Sequence, residues 1–364
     1  MKIAYLDIYH PFPINSGVDW YRYQLLDGLG KNNDLTLYHT LNSKDQTGYY
    51  PSDVNFDICY LKPKFNWNIL SRNLEILQPE RFLDRFAGSI EADVVFCCAL
   101  HYSLARKLTL DSTPLVLVEY DLIWEYLKNN MSFLYPVMKF YENYAIKKAN
   151  AIITLTKRDQ EYVTNHCSNN KVFYIPPEIR MDIFKPLGPS INYGKGRFNL
   201  LFYGSLDRKH NLDALKFISE ELIPALKKEH LTDDVRMNVF GSGANSKNIY
   251  LNNDMINFKG AVEDPGEYIR GADAILVPVK NNAGIKLRIL ESLACGKPVI
   301  ATTDASEGLP IEIRNMLYIA DTVNEFIEII KDMITNECKE INPDFIRNYL
   351  SGDRLSDVIS HINS

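Results

Sequence analysis

The chain has 364 residues, too many for one ordinary hydrophobic core, so two domains are expected. Its 40 basic against 46 acidic side chains give a net charge of −6, which argues against general affinity for nucleic acid or an acidic membrane and leaves room only for a local basic patch. The six cysteines form no CxxC pair and no regular spacing, so they read as reduced thiols rather than a zinc site or a disulfide framework.

The N-terminal MKIAYLDIYH is too short and too charged for a signal peptide. No apolar run approaches the roughly 18 residues of a membrane span. Lys2–Ile8 reads as a strand, followed by the loop HPFPINSGVDW, which contains Gly17, and a helix from near Asp19. Strand, glycine-containing loop and helix open a βαβ unit, with a helix N-terminus available to an anion. Leu35–His39 and Asp57–Leu61 are further strands. Residues 62–90 are less regular. Their Arg72, Arg81 and Arg85 with Phe65, Trp67, Phe82 and Phe86 fit either an amphipathic face meeting lipid or a helix covering the sheet. Ala92–Cys97 and Leu115–Glu119 are strands, and His101 and Asp121 lie just beyond their carboxyl ends. Ligands of open α/β sheets bind there, although a lone histidine is also a common structural residue. An aromatic helix over 133–148 and strands at Ala151–Thr156 and Lys171–Ile175 complete the first half.

Residues 176–197, rich in proline and glycine, read as a linker. The alternation then restarts. Asn199–Tyr203 is a strand, 204–210 a loop and Asn211–Leu226 a helix. Val235–Phe240, Ile256–Lys259 and Ala274–Pro278 are strands, a helix is expected at about Val323–Ile334, and Phe345–Ile362 reads as one last helix. Two parallel-sheet α/β domains follow from this pattern. Between them in information content stands GIKLRILESLACGKPVIATTDASEGL, residues 284–309. Its leucines recur at helical spacing, Gly296-Lys297-Pro298 stops the helix, and Val299–Thr302 is a buried strand. Lys286 and Arg288 lie in the first helical turn, where the dipole repels cations. Either an anion sits there, or both point into water and Arg288 pairs with Glu291 three residues on.

The blocks LLFYGSLDRKHNLDAL, MNVFGSG, FKGAVEDPGEYIRGADAILVPV, GIKLRILESLACGKPVIAT and ASEGL, in that order, resemble the nucleotide-sugar domain of the family 4 (group 1) retaining glycosyltransferases of the GT-B fold. The resemblance is closest to the branch whose blocks read like "GSMD…NVDA" and "GGTRLKxLEAMAxGxPVV…EGL". SGVDWYRYQLLDGL, YENYAIKKANAIITLTKRDQEYV and KVFYIPPEIRMDIFKP add weaker matches in the first half. The resemblance implies two Rossmann-like domains facing a central cleft: an acceptor-side domain over 1–185, with a C-terminal helix at 345–364 packing back on it, and a nucleotide-sugar domain over 190–344.

The family's Glu-x7-Glu motif places its second glutamate at Glu291, which would bind the ribose hydroxyls. The first falls on Ala283, a departure shared with the closer branch. The family's phosphate-binding arginine and lysine are also displaced, since Ser205 and His210 stand at those positions. The resemblance then puts Lys209 and Lys286 forward as the main cations, Arg208 as a substitute, Gly17 and Gly204 as loop glycines near the donor, and Gly284 and Ile285 as backbone N–H donors. His101 becomes the candidate beside the reacting sugar carbon, with Asp121 or Glu119 orienting the acceptor. Base recognition is expected through backbone near Ala261-Val262-Glu263. The activity implied is metal-independent transfer, with retention, from a nucleoside diphosphate sugar to a hydroxyl of a glycan, a lipid-linked acceptor or a protein. No cofactor and no nucleic acid are expected, and the location implied is cytoplasmic, with peripheral contact to the inner face of the membrane left open. A nucleotide-sugar epimerase of the same fold, or a non-catalytic partner subunit, are the alternatives.

Overall fold

The computed structural model describes residues 1–7, 12, 14, 17–40, 54–61, 90–130, 135–166, 171–194, 197–243, 249–280, 284–336, 338–351 and 354–363. The aromatic–arginine segment at 62–89 and Ala283 lie outside them. The chain divides into two units, Met1–Pro177 with Asp353–Ser364, and Glu178–Gly352.

In the first unit the described strands are β1 (Lys2–Asp7), β2 (Asp34–Thr40), β3 (Asp57–Leu61), β4 (Val94–Cys97), β5 (Leu115–Glu119), β6 (Ala151–Thr154) and β7 (Val172–Tyr174). All pair in parallel, in the order β3-β2-β1-β4-β5-β6-β7. Side chains alternate across a strand, so the sheet feeds two cores. Ala4, Leu6, Val95 and Leu117 enter one, and Ile3, Tyr5, Phe96 and Val118 the other. This is why these strands read as unbroken apolar runs.

In the second unit the described strands are β8 (Phe198–Tyr203), β9 (Val235–Phe240), β10 (Ile256–Phe258), β11 (Ala274–Val277), β12 (Val299–Ala301) and β13 (Tyr318–Ile319). They too are parallel, in the order β10-β9-β8-β11-β12-β13. The chain starts at the centre, runs outward through β9 and β10, and crosses back to β11. The direction therefore reverses between β8 and β11, as it does between β1 and β4 in the first unit, and such reversal points open crevices at the carboxyl ends of strands. The helix after β8 runs from Lys209 to Lys228 with a π turn at Ile218–Leu222. The wider turn lies beside Pro224, which has no N–H for an α-helical bond.

The single last helix expected over 345–362 is two helices. Pro343–Leu350, capped by Asn342 Oδ1 accepting from Asp344 N and Phe345 N, belongs to the second unit. Arg354–Asn363 belongs to the first, where Val358 is fully buried and Leu355 lies against Gly28 of the Gly17–Gly30 helix. An added Cβ on Gly28 would stand 2.7 Å from Leu355 Cδ1, so the missing side chain permits this packing. Only the final helix returns to the first unit. Among the described residues, no helix is long and apolar enough to cross a membrane.

Candidate functional site at the carboxyl edge of the second sheet

Glycines take over where β8 and β9 end. Gly204 has φ +151°, a backbone that favours glycine, and an added Cβ would meet Arg288 Nη2 at 2.6 Å and Asn211 Nδ2 at 3.0 Å. Gly241 follows β9, and its Cβ would stand 1.9 Å from the Gly204 carbonyl oxygen. The two loops thus touch backbone to backbone, and Leu206 N donates to Ser242 O at 2.7 Å to hold them together.

After β11, Gly284 at φ +76° turns the chain into the Leu287–Ala294 helix. Its carbonyl passes so close to Gly308, at 2.8 Å from an added Cβ, that the glycine of ASEGL is a packing requirement. Lys286 is the N-cap residue, only 7% exposed, and its Nζ donates to Gly284 O at 3.0 Å.

Arg288 does not pair with Glu291, the local alternative open from spacing. Its Nη2 donates to Asn211 Oδ1 at 2.6 Å, and its guanidinium lies 5.4 and 5.9 Å from the ring centres of Phe202 and Tyr203. Asn211, 2% exposed, is fixed in turn by donating from Nδ2 to Ser205 O at 2.8 Å. Glu291 turns to Tyr203, whose hydroxyl donates to Oε2 at 2.9 Å. Tyr203 and Asn211 are members of the site that sequence reasoning passed over, while Arg288 was weighed there as a cation for an anion or as the partner of Glu291.

Burial pushes the Glu291 carboxyl up to about 7, against the lowering influence of the Tyr203 hydrogen bond and the Arg288 charge. The folded pKa exceeds the ordinary value, so the stability this group contributes is complete below the ordinary carboxylate range and is lost as pH rises through about 7. Both hydroxyls of a ribose diol can donate to the ionised Glu291, a pairing that the protonated carboxyl, with one oxygen turned donor, does not match. Binding of a ribose is therefore expected to strengthen as pH rises through about 7 and to release a proton. Calorimetry in two buffers of different ionisation enthalpy measures this release, and Glu291→Gln should abolish it.

His210 reports the surrounding charge. Burial, then Arg288, Lys286 and Arg208, push its pKa down to about 4, so it is neutral at physiological pH. The first turns of two helices thus bring three cations around one neutral imidazole. Lys209 does not join them. Its side chain is 88% exposed and pairs with Asp213 at 2.9 Å, one helical turn along. Arg208, exposed, is the N-cap of that helix. The structure therefore gathers Gly204, Arg208, Gly284, Ile285, Lys286 and Glu291 at the edge where β8 and β11 diverge, and leaves Lys209 facing solvent.

In the first unit Gly17 is the first residue of its helix. His101 is 1% exposed, with Nδ1 3.2 Å from Cys98 Sγ, and burial pushes its pKa down to about 4. It is neutral and enclosed, which does not suit the expected place beside a reacting sugar. Glu119 is also enclosed, at 1% exposure. Burial and Glu142 hold its carboxyl well above the usual range, and Glu142 in turn accepts from Ile123 N and Trp124 N. Asp121, partly buried, precedes the Ile123–Asn130 helix. The polar group at the β1 end is instead Asp7, which meets Arg22 Nε at 2.8 Å, with Arg22 4.7 Å from the centre of the Tyr120 ring. Among the described residues no group of three or more His, Cys, Asp or Glu is placed to hold a metal ion.

Residues 197–336 match the model of the glycosyl transferases, group 1. These residues form a group 1 glycosyltransferase domain. A protein of the cps region of Klebsiella pneumoniae, described as an uncharacterized 44.6 kDa protein, is 23% identical over 348 residues, covering 88% of this chain and 87% of its own length. Sucrose-phosphate synthase from Thermosynechococcus elongatus superposes with a TM-score of 0.66 at 13% identity, over 99% of this chain and 94% of that one. HepE of Anabaena, solved in complex with UDP, gives 0.61 at 13% identity over 99% and 100%. Two parallel-sheet units, one holding the glycosyltransferase domain, give the chain the GT-B architecture.

Proposed function

We propose that the chain is a retaining, family 4 glycosyltransferase that moves a sugar from a nucleoside diphosphate sugar to a hydroxyl acceptor. One observation carries this reading. A carboxylate braced by a tyrosine, Glu291 on Tyr203, stands on the same helix as the N-cap cation Lys286, at the reversal point of the sheet. Glu291 offers two acceptor oxygens to the ribose diol. Lys286 and the backbone N–H groups of Gly284 and Ile285 neutralise the diphosphate as the glycosidic bond breaks, the task a metal ion performs elsewhere. The acceptor hydroxyl attacks from the face the diphosphate leaves, and its proton passes to the leaving phosphate oxygen. The solved complex of HepE with UDP, on a chain of this fold, supports the nucleotide assignment.

A thermal-shift panel of UDP, GDP and ADP, followed by mass spectrometry of the full chain with the matching nucleotide sugars, tests the reading. A ligand at 100 times its dissociation constant adds about 2.7 kcal/mol of stability, so one diphosphate should raise Tm. Its sugar donor should yield free nucleotide and a glycosylated acceptor or free sugar of unchanged anomeric configuration. No shift with any of the three would sink the reading, and an epimerised donor without free nucleotide would replace it with an isomerase.

A further inference from the structure

Arg288 is held more elaborately than a surface cation needs. Its Nη2 is spent on Asn211, which is itself tied to the Ser205 carbonyl, and its guanidinium is wedged against Gly204, where a Cβ would stand 2.6 Å away. Nη1 is buried and has no hydrogen-bond partner. An unpaired buried donor on a charged group is costly, more so than on a neutral one. The packing that fixes the guanidinium thus leaves one of its arms to be satisfied by something else.

The surroundings say what that partner is. Lys286 caps the same helix, and Arg208 caps the helix that carries Asn211. Arg288, Lys286 and Arg208 all act on His210, so the three charges share one neighbourhood, and the imidazole they act on stays neutral. Two helix N-termini and three cations form a field that favours an anion of more than one charge. The planar guanidinium, with one arm fixed and the other unpaired, is suited to phosphate oxygens.

We infer that Arg288, clamped by Asn211 beside Gly204, grips the diphosphate of the nucleotide donor, a role that the solvent-facing Lys209 does not fill. The inference rests on the nucleotide-sugar reading and assigns it a residue. Lys286 and Arg288 then divide the work: Lys286, bent back on Gly284, fixes the turn and its charge, and Arg288 makes the directional contact.

The test compares two affinities in the full-length wild type, Arg288→Met and Arg288→Lys. One is for whichever of UDP, GDP or ADP binds the wild type, and the other is for the corresponding nucleoside, measured by competition. Loss of one charge-assisted contact is expected to weaken the diphosphate by about 10- to 100-fold in Arg288→Met, with nucleoside affinity within about twofold of wild type. Arg288→Lys should fall between, because it keeps charge and loses the fork. Equal losses for nucleoside and diphosphate would overturn the inference and reduce Arg288 to a brace for Tyr203, as would no loss of either. If Arg288→Met does not fold, Asn211→Ser keeps the charge and releases the clamp, and the same divergence or its absence decides. A wild type that binds neither diphosphate nor nucleoside overturns the underlying nucleotide reading, and this inference with it.

Discussion

Glu291→Gln is expected to cost the protein its nucleotide and none of its stability. The ribose diol would donate two hydrogen bonds to the carboxylate. The amide keeps one oxygen, which Tyr203 already occupies through its hydroxyl at 2.9 Å. Losing a charge-assisted hydrogen bond costs about 1.5–3 kcal/mol, so affinity for the nucleoside diphosphate should fall by roughly 10- to 150-fold. Stability should move the other way above neutral pH. Burial disfavours the charged form of Glu291, whose carboxyl is pushed up to about 7, and a neutral amide carries no such burden. At pH 8 the variant should therefore melt at or above the wild-type temperature while its titration with nucleotide flattens. A variant that melted well below wild type would instead give Glu291 a structural role.

Gly241→Ala should have the largest effect of any single methyl group added at the site. The new Cβ would stand 1.9 Å from the Gly204 carbonyl oxygen, and that atom is backbone, so the β8 or β9 loop must move by about an ångström. Forced overpacking of this kind costs about 1–3 kcal/mol, which corresponds to a loss of roughly 2–12 °C in Tm for a unit of this size. Gly204 is also what Arg288 leans on, so the diphosphate should be lost with the shift. Gly260→Ala is the control. Gly260 has φ +72° and no atom within 4 Å of an added Cβ, so that change carries left-handed strain of about 1–2 kcal/mol without a clash. Differential scanning calorimetry of both variants, with and without nucleotide, separates collision from strain. Equal effects on nucleotide binding would mean that the two loops are not in the close contact described.

Local pattern revealed the sheets, because strands buried on both faces are apolar at every position, as Val94–Cys97 and Ala274–Val277 are. It could not reveal β13, since two residues carry no period. The last helix stops at Leu350 and a second begins at Arg354, and a sequence pattern that tracks only leucine and isoleucine spacing runs straight through such a break. Within the site, Lys286 and Glu291 were legible because their setting is one helix and its N-terminus. Arg288 was not. Its nearest acidic neighbour in sequence is Glu291, while its partner Asn211 lies 77 residues away on another helix. Lys209 stands apart for the opposite reason. Its pair with Asp213 at i,i+4 is local and visible in the sequence, but homologous position suggested a phosphate. His101 was placed correctly at a strand end, and nothing in the neighbouring residues announced that it would be enclosed.

The account stands or falls on where a nucleotide sits. A crystal structure of the full chain with the nucleoside diphosphate that binds it answers this directly. The ribose hydroxyls are predicted to lie within hydrogen-bond distance, about 3 Å, of Glu291, with the diphosphate against Lys286 and Arg288. A nucleotide bound away from the Leu287–Ala294 helix, with Glu291 still held only by Tyr203, would contradict it.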